Sequence, residues 1–86
     1  MIFISFVQEG REQKIEVEID EDNEGMQLDD FRNYLTDEKE GEIPASFNFL
    51  NKGISISLKQ ESEYTLKDVI TSSNQINLKI KKSLGN

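Results

Sequence analysis

Five oxygen-bearing side chains in a row, Asp20-Glu21-Asp22-Asn23-Glu24, are the densest set of hard-cation ligands in the sequence. Carboxylate and amide oxygens are the groups that hold calcium. An EF-hand loop, however, spreads its ligands over about twelve residues, with a central Gly and a closing Glu, and this run has neither the spacing nor the length. It reads as a solvated acidic connector. The sequence contains no His, so the commonest general base and transition-metal ligand is missing. It contains no Cys, which excludes disulfides and thiolate sites. Ser and Lys are plentiful but have no partner base, and no Gly-rich phosphate loop or nucleophile motif occurs. No catalytic residue, metal ligand or cofactor is assigned.

What remains is docking chemistry. Asn48, Leu50 and Lys52 alternate along one stretch, and Asn77, Lys79 and Lys81 along another. If the two stretches are neighbouring strands, these six side chains share one sheet face. A partner protein would then meet Leu50 as anchor and the lysines as rim, where charges mostly steer association. The plainer reading is a solvated face with one ordinary exposed leucine. A second strip, Lys14, Glu16, Glu18 and Asp20, alternates with Ile15, Val17 and Ile19. Charges along a sheet edge block strand-to-strand aggregation, and that reading stands beside an acidic docking strip.

The formal net charge of −7 is unevenly spread. Residues 9–42 hold fourteen acidic and four basic side chains; the rest hold three and six. Such a chain is repelled by nucleic acid and by anionic membrane surfaces, so the expected partner is another protein. Weak head-to-tail self-association, basic face against acidic edge, is a further expectation. No apolar run approaches the roughly 20 residues of a bilayer span. Residues 1–7 are too short, and lack the basic flank, for a signal peptide. The default setting is cytoplasmic.

These groups need elements to carry them. At 86 residues the chain has room for one domain. Residues 2–7 are β-branched and aromatic, with Ile2, Ile4 and Phe6 on one face and Phe3, Ser5 and Val7 on the other. A turn over Gln8-Glu9-Gly10-Arg11 leads into an alternating strand over 13–20. From Gln27 the period becomes helical: Leu28, Phe31 and Leu35 share a face, Asn23 is a candidate cap, and Gly41 and Pro44 mark the stop. Arg32 lies on this helix, where pairing with a nearby acid would be structural. Residues 47–50 and 54–58 read as strands about an Asn51-Lys52-Gly53 turn. Thr65 caps a short helical turn with Asp68 three residues on, and 76–80 alternate into a last strand. The expected core is Ile2, Ile4, Phe6, Ile15, Val17, Ile19, Leu28, Phe31, Leu35, Ile43, Phe47, Phe49, Ile56, Leu66, Ile76 and Leu78, with Val69 or Ile80. Hairpin, helix and later strands predict an α+β domain, a mixed sheet of four to five strands over one helix, closed by parallel pairing of the first and last strands.

In this order the pieces resemble the ubiquitin-like β-grasp family, over Ile2 to about Lys82. Met1-Ile2-Phe3-Ile4, Ile15-Glu16-Val17-Glu18, Glu42-Ile43-Pro44, Phe47-Asn48-Phe49-Leu50 before Gly53, and Thr65-Leu66-Lys67-Asp68 carry the resemblance. It implies a domain over 1–82, with 83–86 a polar tail or a linker to a larger protein. It also implies a non-catalytic interaction module, such as the N-terminal domain of a scaffold, adaptor or cytoskeletal protein. Leu50 matches the centre of the family's apolar patch, with Val7 the nearest apolar candidate from the first turn, whereas Lys79 stands where ubiquitin has a branched apolar residue. The alternative implied is a modifier or carrier activated at a C-terminal Gly, although only Gly85, followed by Asn86, occupies the place of a diglycine. Ras-binding β-grasp domains need basic residues on the second strand, and the acidic strip here argues against that role.

Overall fold

In the computed structural model, which describes residues 1–44 and 46–81, the chain begins as a tight hairpin. Strand β1 (Ile2–Gln8) pairs antiparallel with β2 (Arg11–Val17), from Ile2 opposite Val17 to Gln8 opposite Arg11. Glu9 and Gly10 between them both take positive φ, 54° and 79°. That two-residue turn has the twist of the strands it joins, which fixes the register. Strand β2 stops at Val17, so Glu18, Ile19 and Asp20 lie beyond the ladder instead of completing the expected strand.

Helix α1 (Leu28–Glu38) lays Leu28, Phe31 and Leu35 against the sheet, each at most 1% exposed. Asn23, the expected cap, belongs instead to a short 3-10 turn over Glu21–Asn23. Gln27 caps by position without a side-chain bond to the helix. The helix is started by tertiary contact: the Leu28 N–H donates to the Tyr64 carbonyl, and the Leu66 N–H donates back to the Met26 carbonyl, each 3.0 Å. A distant segment thus satisfies a first-turn donor that a local cap would otherwise serve. Gly41, at φ 85°, ends the run as expected.

Strand β3 (Phe47–Asn51) carries Phe47 and Phe49 inward. Lys52 and Gly53, again both at positive φ, turn it into β4, which is only Ile54–Ser55. The longer strand expected over 54–58 is cut short because the Ser57 N–H bonds the Gln60 side chain, starting a 3-10 segment over Leu58–Glu63. Helix α2 (Leu66–Val69) follows, with the Thr65 N–H donating to the Asp68 carboxylate at 2.8 Å. Strand β5 (Gln75–Ile80) closes the sheet: parallel to β1, with Ile4 opposite Ile76, and antiparallel to β3, with Leu78 opposite Phe49.

The order β2-β1-β5-β3-β4 is the mixed five-stranded sheet over one main helix that defines the expected α+β, β-grasp class. All sixteen core positions expected without reservation are buried except Ile15 and Ile19, which are half-buried. Both lie on or past the edge strand, where one flank meets water. Val69 is buried and Ile80 half-buried. Residues 82–86, including the Gly85 of the carrier reading, lie outside the described residues.

Candidate functional site

The sheet face turned away from α1 is a mixed apolar and basic surface. On β3, Asn48 and Leu50 point to it; on β5, Gln75, Asn77 and Lys79; on β1, Phe3, Ser5 and Val7. The expected set of six is brought together: Asn48 sits directly opposite Lys79, and the same register carries Leu50 beside Asn77. Lys52 and Lys81 flank the pair as exposed residues.

Their surroundings differ. Leu50 and Asn77 are half-buried, Lys52, Lys79 and Lys81 exposed. Asn48 is only 7% exposed, and its side-chain amide donates to the Ile56 carbonyl at 2.8 Å. It ties β3 to the chain beyond β4 and offers little to a partner. Asn77 accepts a 2.7 Å bond from the Gln75 amide, which holds both side chains in place.

Leu50 lines a groove of about 300 Å³ between the β3–β4 turn and the chain leaving α2. Lys52, Ile70, Thr71 and Asn77 line it with Leu50. Asp68 also borders it, but that carboxylate is engaged by the Thr65 N–H. Among the described residues, the ion pairs are Arg32–Glu61 and Lys14–Glu12, so Lys52, Lys79 and Lys81 meet no acid within 4.0 Å. An apolar foothold, hydrogen-bonding amides and unneutralised lysines can bind a protein surface; they offer no nucleophile poised by a base.

The acidic strip is dispersed by the early end of β2. Glu16 stays on the edge strand, opposite Phe3, while Glu18 and Asp20 are exposed on the loop that follows. Among the described residues no three acidic side chains converge to hold a metal ion. Nor is any helix among them long and apolar enough to cross a membrane.

Phe3 and Val7 are 39% and 60% exposed on the outer face, as their alternation with Ile2, Ile4 and Phe6 predicts. One feature escaped the sequence. Glu61 is buried beneath α1, where Arg32 clamps it. No local pattern marks that glutamate, because its partner lies 29 positions away.

With this geometry in view, the chain matches no family model, no curated protein and no solved structure.

Proposed function

We propose that this chain is a non-catalytic interaction module that seats a partner protein on the outer face of its sheet. Leu50 carries the reading. It is a half-buried leucine lining a groove, with Lys52 and Lys79 exposed nearby and, among the described residues, no acid within 4.0 Å of either. Apolar anchors set in partly desolvated pockets supply most of the energy of small interfaces, and charges at the rim guide the approach.

In finer terms, we read the module as ubiquitin-like and as one domain of a larger scaffold, adaptor or cytoskeletal protein. The strand order and the turn at Thr65-Leu66-Lys67-Asp68 support the first part. Leu50 then occupies the centre of the surface through which such domains are expected to dock. Fold alone does not give function, so the test addresses the site. Affinity capture from a native lysate, wild type beside Leu50→Asp, should return a protein held by the first and lost by the second. Equal capture by both would move the contact off this face and overturn the proposal.

A further inference from the structure

The outer face is also self-complementary across β1, independently of Leu50. Val7, 60% exposed, has Glu12 directly opposite it on β2. The parallel β1–β5 ladder runs from Phe3–Gln75 to Ser5–Asn77, and its continuation by two residues along both strands leads to Val7 and Lys79. Ser5 lies between Lys14 and Asn77, and Phe3, 39% exposed, between Glu16 and Gln75. Each row therefore has a charged group on the β2 flank and a complementary group on the β5 flank.

From this arrangement the geometry points to a second copy of this chain as an occupant of the face, in a two-fold dimer whose axis runs along β1. Rotation about that axis lays the β2 flank of one copy over the β5 flank of the other at the same height along the strand. Glu12 and Lys14, exposed and only loosely paired at 4.0 Å within one copy, then turn to the other: Glu12 meets Lys79, Lys14 meets the Asn77 amide oxygen, and Glu16 meets the Gln75 amide, which keeps one N–H after serving Asn77. Val7 and Phe3 meet their own copies in the middle. Both sheets keep their strands aligned, as face-to-face sheets prefer. The other in-plane axis, across the strands, sets Glu12 against Glu16 and is disfavoured by like charge. The contact is isologous, so it closes at two copies and does not propagate as a fibre.

Three strands from each copy make a small interface, and two chains of net charge −7 repel at long range, so the dimer is weak. Sedimentation equilibrium up to about 1 mM, where a millimolar Kd half-populates a complex, reads it directly. Val7→Asp should abolish association. Glu12→Lys and Lys79→Glu should each weaken it about tenfold, because symmetry converts both ion pairs at once. Together they should restore it. Glu12→Lys decides against a net-charge explanation: it moves the formal charge from −7 to −5, which by itself would strengthen association. Leu50→Asp, on the next strand outward from β5, should leave the dimer intact. A wild type monomeric at the highest concentration, a double variant no better than the singles, or loss of association with Leu50→Asp would overturn the inference.

Discussion

Arg32 on α1 and Glu61 on the 3-10 segment, 29 positions apart, meet in a forked ion pair. Arg32 Nε lies 3.0 Å from Glu61 Oε1, and Nη2 lies 2.7 Å from Oε2. The same Nη2 donates to the Phe47 carbonyl, and the guanidinium sits 4.2 Å above the Phe47 ring. One cation thus joins α1, β3 and the segment before α2.

The two halves of this pair should be unequal. Arg32→Met should cost about 3–5 kcal/mol, because it strands a carboxylate whose side chain is 2% exposed. Glu61→Leu should cost less, since Arg32 is 18% exposed and keeps the Phe47 carbonyl. The double substitution should recover most of the loss, as buried pairs replaced by apolar groups often do. Urea denaturation of the four proteins measures this; strictly additive costs would show that the two residues do not act as a pair.

Phe31→Ala should destabilise by about 3–5 kcal/mol, much of what holds a domain of this size. Phe31 is fully buried, with the Phe49 ring 5.9 Å and the Tyr34 ring 6.1 Å away. A thermal melt indistinguishable from wild type would remove α1 from the core.

Asn48→Ala should behave as a stability variant. It takes the donor from the Ile56 carbonyl, at a cost of about 1–3 kcal/mol. Partner capture at a temperature where the variant is folded should equal wild type. Loss of capture with unchanged stability would place Asn48 in the contact after all.

Lys79→Ala and Lys81→Ala should slow association with the captured partner, leaving its dissociation nearly unchanged, with an effect that fades as salt rises. Surface plasmon resonance at two ionic strengths separates the two rates. A change confined to dissociation would put these lysines inside the interface and not at its rim.

What the amino-acid sequence determined by itself was which side chains face inward. Alternation at Ile2, Ile4 and Phe6 and helical spacing at Leu28, Phe31 and Leu35 are properties of backbone geometry, so they survive without any knowledge of the neighbours. The turn at Glu9-Gly10 and the cap at Thr65 and Asp68 were legible for the same reason, each being complete within a few residues. Tertiary structure decided the rest. α1 begins at Leu28 because the chain at Tyr64 and Leu66 reaches Met26 and Leu28. Glu61 is buried because Arg32 reaches it from α1, and Asn48 is covered because the chain past β4 folds over to present the Ile56 carbonyl. Polar groups can be buried only where a partner satisfies them, and those partners come from segments that no local period connects. The same holds for the candidate surface: alternation put Asn48 and Lys79 on the outer face, but the pairing of β3 with β5 set them opposite each other.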